Sequence, residues 1–405
     1  MFPVSAIPKT MRAVVYRGVN DLRVETVPVP RIGANELLVK VAICGVCPTD
    51  IKKIQYGTVP PPRIFGHETA GTIVKIGGGA SVHASRLKVG DRVALHHHVP
   101  CMDCHFCRHR AFAQCETYKR TGITAGFEPA GGGYAEYVRV MKFVLPGVVK
   151  IPAHNSFAEG AMLEPVNTVL KAVKRLNLLR GDNVLVAGQG PIGLMFTKIL
   201  QLRGINVLAT DLLESRLKLA KKFGARWTQL VESRESKVEG QIKVECRASS
   251  VDGKKIPALG PRPSTFDNFS ALDAAIIAVP SDAAVTQALQ LVRGGGQVLL
   301  FAHTKRAALS VERRESRDER KKLPALDPRP STLDFSSICL DEKDLIGSYS
   351  ADFTLQREAA RLVFLRRLDV RPLITHHFPL DETADAVALA AHPTPDSLKI
   401  LVKIP

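Results

Sequence analysis

The chain has 405 residues, 45% of them hydrophobic and 23% charged, which is enough apolar material for two packed domains and too much for a fibrous or disordered protein. Met1 to Thr10 lacks the apolar core of a signal peptide and no apolar run approaches bilayer length, so a soluble cytoplasmic protein with no membrane partner is expected. The net charge of +17 leaves room for a nucleic-acid partner, but the basic residues are spread along the chain and read more simply as a solubility and non-specific-binding property.

From Met11 to Ile43, short β-type runs (Arg12 to Tyr16, Leu37 to Ile43) alternate with Pro28, Pro30 and Gly33, which predicts an all-β beginning. Cys44-Gly-Val-Cys47-Pro-Thr49-Asp50 and then Gly66-His67-Glu68-Thr-Ala-Gly71 place a thiolate, an imidazole and a carboxylate in neighbouring loops of this region. Each residue alone has an ordinary structural reading. Together they make a donor set suited to a catalytic zinc, which keeps one position open for water or substrate. His96, His97 and His98 read as a solvated cluster at a strand end.

Cys101-x2-Cys104-x2-Cys107-x7-Cys115 follows, and four thiolates in one loop can enclose a zinc ion with no vacancy. Cysteines at this spacing argue for metal and against a secreted disulfide framework. A zinc ribbon for nucleic acid is the rival reading, given Arg108, His109 and Arg110 alongside. Gly131-Gly-Gly133 turns into a predicted strand at Tyr134 to Val138. Glu164 then stands inside an apolar run, Ala161-Met-Leu-Glu-Pro165, where a buried carboxylate calls for a cation nearby.

Val184 to Ala187 reads as a buried parallel strand, Gly188-Gln-Gly190-Pro191-Ile192-Gly193 follows at G-x-G-x-x-G spacing, and Ile192 to Leu202 has helical periodicity. A second strand, Asn206 to Thr210, ends at Asp211. The glycines would make the tight turn, admit a pyrophosphate and let helix pack on strand; the helix N-terminus would face the phosphates and Asp211 the ribose diol. With Arg216 on the next helix, these residues form the candidate NAD site. Helices at Glu214 to Phe223 and Ala283 to Val292 alternate with strands at Asp273 to Val279, Val298 to Ala302 and Leu345 to Tyr349, with Gly294 to Gly296 as a turn, which predicts a doubly wound parallel sheet. A helix at Leu380 to Ala390 and a strand at Leu398 to Ile404 are expected to rejoin the first domain.

Gly66-His67-Glu68-x-x-Gly71, with Gly77 and Ala80 beyond, resembles the zinc motif of the medium-chain alcohol, polyol and threonine dehydrogenases, and the resemblance covers nearly the whole chain. It implies an α/β protein with a GroES-like β-rich catalytic domain (residues 1–171 plus 350–405) and a Rossmann NAD-binding domain (residues 172–349). By that resemblance Cys47 and His67 hold the catalytic zinc, Glu68 is an adjacent carboxylate that binds or approaches it and exchanges with substrate during turnover, Glu164 is the third protein ligand of the polyol and threonine branches, Asp50 orients His67, and Cys44 is a bystander. Cys101, Cys104, Cys107 and Cys115 hold a structural zinc. Thr49 would take the alcohol proton. Lys52 stands where many relatives end the relay with histidine, so its pKa is lowered, or the proton leaves another way, or Lys52 binds phosphate.

The expected activity is hydride transfer from a small-molecule alcohol (a polyol, secondary alcohol or hydroxy amino acid) to NAD by a homodimer or homotetramer. The alternative is a zinc-bearing nucleic-acid-binding protein on an inactive dehydrogenase fold. Two near-copies, Lys254 to Asp267 and Lys321 to Asp334, are proline-rich and basic, and are expected to be insertions near 232–268 and 305–334, outside the chemistry.

Overall fold

The strand Leu37–Gly45 is buried along almost its whole length, because it runs through the middle of a sheet and is covered by neighbouring elements. The computed structural model describes residues 7–79, 86–96, 99–120, 131–231, 236–238, 241–243, 250–251, 254–255, 272–302 and 335–405. Among these, the first sheet runs in the order Ile374–Pro379, Lys399–Lys403, Leu37–Gly45, Glu68–Ile76, Arg92–Leu95, Val149–Lys150, with Tyr137–Val140 also paired to Leu37–Gly45. The strand Lys399–Lys403 is thus inserted beside one of the earliest strands. Gly45 faces Leu401 on one side and Glu68 on the other. Cys47 and His67 follow and precede these paired residues, so sheet register alone brings the two loops together.

The second sheet has six strands among the described residues, in the order Trp227–Leu230, Asn206–Asp211, Asn183–Ala187, Leu272–Ile277, Val292–Leu300, Asp344–Gly347, every pair parallel. Numbered along the chain this is 3-2-1-4-5-6, the doubly wound order, whose switch point lies between Asn183–Ala187 and Leu272–Ile277. The helices Pro191–Leu202, Glu214–Lys222 and Asp282–Leu291 make crossovers between its strands. The α/β architecture expected from the alternation is present.

The helix Leu163–Val173 binds the two sheets into one core. Its Asn167 exchanges hydrogen bonds with the backbone of Asp352 at 2.9 Å in both directions, and Lys171 Nζ donates to the Tyr349 carbonyl at 2.8 Å. The cysteine-rich loop leans on the same segment: Tyr118 and Ser350 hydroxyls are 3.2 Å apart, and the Phe112 and Phe353 rings meet edge to face at 5.7 Å.

Two local expectations need correcting. Gly294 to Gly296 lie within the strand Val292–Leu300, where a register shift and the left-handed φ of Gly295 (67°) absorb the glycines as an irregularity. His96 is fully buried, not solvated, and its amide donates to Gly147 O; His97 and His98 lie outside the described residues. The two proline-rich copies, apart from Lys254 and Lys255, also lie outside them.

Candidate active site

Each glycine of the turn after Asn183–Ala187 meets a different physical demand. Gly188 has φ 91°, which a side chain would strain. A Cβ on Gly190 would meet nothing within 4 Å, so this face is open to a ligand, whereas a Cβ on Gly193 would strike the Gly188 carbonyl. Pro191 and Ile192 begin the helix Pro191–Leu202 with Gly190 as its N-cap, leaving N–H groups directed at the open face. Asp211 ends the neighbouring strand. Its Oδ2 accepts from Gln189 N at 2.6 Å and its Oδ1 from Leu213 N at 2.9 Å, which aims the carboxylate along the turn. Arg216 Nη1 is 3.9 Å from Asp211 Oδ2, and Arg216 Nη2 donates to the Ser397 carbonyl at 3.5 Å. These features suit a dinucleotide: room at the phosphate position and an anchored acid at the ribose position.

The metal-type site lies at the ends of the β-rich strands. Cys47 caps the helix Pro48–Tyr56, with Pro48 in its first turn, and so its sulfur sits at a fixed helix entrance. The ligand atoms of Cys47, His67 and Glu68 lie within 4.8 Å of one another. His67 is buried, and its Nδ1 is 3.2 Å from Asp50 Oδ1, which selects the tautomer leaving Nε2 as the donor to a metal. Burial would lower the His67 pKa, but Asp50 and Cys47 outweigh it and raise the pKa well above the usual value. Burial likewise opposes ionisation of Asp50, and His67 reverses the direction, holding its pKa below normal. A buried pocket with this much negative potential fits a bound cation.

Glu164 comes from the start of the helix Leu163–Val173, is 6% exposed and accepts from Thr168 Oγ1 at 3.4 Å; it is outside the close three-residue cluster. Thr49 is half-buried in the first turn of the helix that Cys47 caps. Lys52 lies one turn on, with its pKa lowered by burial. Cys44 is fully buried against Thr69, and burial pushes its thiol up to about 12, unlike the reactive thiolate a ligand must supply.

Lys399 is a residue that sequence reasoning missed. Its Nζ pairs with Glu68 Oε2 while its side chain is 8% exposed, and it donates to the Val46 carbonyl at 2.8 Å. Burial disfavours the ammonium, but Glu68 more than compensates and raises its pKa. The only sequence signal was a lysine at the head of the apolar run Ile400 to Val402.

The four remaining cysteines gather as one cluster, with Cys101 Sγ 3.9 Å and Cys104 Sγ 3.5 Å from Cys107 Sγ. Four sulfurs around zinc at a bond length of about 2.3 Å are roughly 3.8 Å apart, so the cluster has the size of a tetrahedral site. The amides of Cys101 and Cys104 point at the Cys115 and Cys101 sulfurs, each at 3.4 Å, as support for thiolate charge.

A doubly wound nucleotide-type sheet joined to a β-rich unit with mixed sulfur, nitrogen and oxygen donors defines a metal-dependent oxidoreductase class. Residues 33–153 match the family model of the alcohol dehydrogenase GroES-like domain, and residues 191–316 that of the zinc-binding dehydrogenases. The chain is 29% identical over 398 residues to sorbitol dehydrogenase of Bombyx mori, covering 97% of this chain and 98% of that one. It is 28% identical over 404 residues to sorbitol dehydrogenase of Bacillus subtilis (strain 168), covering 98% of each. Its fold is like that of acetophenone reductase from Geotrichum candidum NBRC 4597, solved in complex with NAD, with a TM-score of 0.72, 21% identity and 98% of each chain covered. The chain belongs to the zinc-dependent medium-chain alcohol and polyol dehydrogenase family and is an alcohol oxidoreductase.

Proposed function

We propose that the chain oxidises a secondary hydroxyl of a polyol or related hydroxy compound with NAD, at a zinc held by Cys47, His67 and Glu68. The carrying observation is the buried cluster of those three ligand atoms with Asp50 behind His67. This departs from the sequence expectation in one respect: Glu68 becomes the resident carboxylate, and Glu164 a buried acid outside the close cluster. Open-chain polyols head the substrate range because the curated relatives are sorbitol dehydrogenases. The unit that binds metal and substrate comprises residues 1–171 plus 350–405 and the NAD unit residues 172–349, a division supported by membership of the two sheets.

When bound, zinc supplies a Lewis acid that acidifies the alcohol, and NAD accepts the hydride. The chain's own residues do the rest. Asp50 holds the His67 ring in place, Gly190 leaves room for the pyrophosphate, and Asp211 receives the ribose hydroxyls. Thr49 takes the substrate proton at its hydroxyl oxygen, and Lys52, one helical turn on with its pKa lowered by burial, is the next group along the same helix. Cys101, Cys104, Cys107 and Cys115 hold the second zinc. A cytoplasmic location suits the thiols, and assembly as a homodimer or homotetramer is tested by sedimentation equilibrium.

The test is NADH formation across a panel of polyols, secondary and primary alcohols and threonine. Turnover should favour polyols. Discrimination for NAD over NADP should be about ten- to a hundred-fold, since Asp211 both loses charged hydrogen bonds of about 1.5 to 3 kcal/mol and repels a 2′-phosphate. No turnover of any alcohol by zinc-replete protein would remove the assignment, and equal kcat/KM for the two cofactors would remove the role of Asp211.

A further inference from the structure

Glu68 and Lys399 stand on strands that do not touch each other. Leu37–Gly45 runs between them, and adjacent strands are about 4.8 Å apart, so a side-chain contact across it must pass over the middle residue. That residue is Gly45, opposite Glu68 on one side and Leu401 on the other. A Cβ built on Gly45 would collide with Glu68 Oε2. Gly45 is not among the residues with positive φ, so glycine serves here as empty space and not as a conformational device. Through this gap Glu68 reaches the Lys399 ammonium.

Lys399 holds a second group of the same site. Its Nζ donates to the carbonyl of Val46, the residue before Cys47. One buried ammonium therefore ties the Glu68 carboxylate to the turn that presents the Cys47 sulfur, across 353 residues of sequence. For packing alone an apolar side chain would do, and it would avoid the cost of burying two charges, several kcal/mol per ion. The positive charge also has work to do: the carboxyl groups of Asp50, Glu68 and Glu164 are all buried here, beside the partly buried Cys47.

We propose that Lys399, acting through the gap at Gly45, is a positioning residue of the catalytic metal centre, fixing Glu68 and the Val46–Cys47 turn at the spacing zinc requires. The proposal rests on Cys47, His67 and Glu68 forming that centre. Its test measures zinc affinity and the visible spectrum of the cobalt-substituted protein, neither of which depends on turnover. Full-length wild type, Lys399→Met, Lys399→Arg and Gly45→Ala are titrated against a chelator of known affinity, with the far-UV circular dichroism spectrum and a cooperative thermal transition as the check on folding. Lys399→Met should weaken the Cys47-site zinc by about 10- to 100-fold and shift the cobalt thiolate band, and Lys399→Arg should restore both. Gly45→Ala should reproduce the Met variant with Lys399 intact, because the new methyl displaces Glu68, and it carries the test if Lys399→Met does not fold. Wild-type zinc affinity and cobalt spectrum in either Lys399→Met or Gly45→Ala overturn the proposal while leaving the metal centre standing. A wild-type protein that binds only the four-cysteine zinc overturns both.

Discussion

The four cysteines of the 101–115 loop and the Cys47, His67, Glu68 cluster both gather metal-binding atoms within 4.8 Å, but they are built by different means. The cysteine lobe is local: fifteen consecutive residues supply every ligand, Cys101 and Cys104 are half-buried, and sulfur-directed amides come from the lobe itself. The other cluster is assembled from distant strands and helices, and its charged members Asp50, His67, Glu68 and Lys399 are all buried. A site with four identical ligands and no vacancy can serve as a staple, whereas mixed donors held by partners from several elements can keep an open position and still fix its geometry. What differs is where the ligands get their orientation: from the loop's own backbone in one case, from the tertiary fold in the other.

The comparison is broken most directly by removing one thiolate from each centre. Cys47→Ala should cost several kcal/mol of transition-state stabilisation, at least about a thousand-fold in kcat/KM, and lower the metal content from two zinc ions to one with the fold intact. Unchanged metal content by atomic absorption would show that Cys47 is not a ligand. Asp50→Ala should reduce zinc affinity or activity by about 10- to 100-fold, since His67 loses the partner that fixes its tautomer.

Cys104→Ser should act on stability first, lowering Tm by about 1 to 2 °C for each kcal/mol of lobe binding energy lost, with a smaller change in kcat carried through Tyr118 and Ser350. If kcat falls as far as in Cys47→Ala while Tm holds, the contrast between staple and catalytic centre is lost. The smallest effect is chemical. In zinc-stripped protein, the amides of Asp103 and Cys104 lower the Cys101 thiol to about 6, while burial pushes Cys107 up to about 12. At about pH 7 Cys101 is then largely thiolate and Cys107 is not, so iodoacetamide should label Cys101 first, as read by peptide mass spectrometry.

The local centre and the nucleotide turn were legible in the sequence for the same reason: their residues are neighbours, so spacing alone carries the geometry. The alternation of strands and helices likewise announced the parallel sheet, although glycines at 294–296 looked like a turn and are carried as an unpaired irregularity inside a strand whose ladder resumes at Gln297. The catalytic cluster was legible only as far as its short motifs reach. That Glu68 lies in the close cluster opposite Gly45 and Glu164 outside it follows from sheet register and packing, and Lys399 carries no motif at all. A lysine at the head of an apolar strand looks like a solvated end until its neighbour in the sheet is known.

The pairing of Lys399–Lys403 with Leu37–Gly45 also sets a timetable. Lys399 and Val46 are 353 residues apart, and at ribosomal rates of about 5 to 20 residues per second the early strand waits roughly 20 to 70 s for its partner. During that interval Cys47, His67 and Glu68 have already been made while the lysine that balances them does not yet exist. The four-cysteine loop faces no such wait, because its last ligand follows its first by 14 residues. On this timetable the four-cysteine lobe can be complete during synthesis, whereas the contact of Lys399 with Glu68 and Val46 forms only after Lys399–Lys403 has been made and paired.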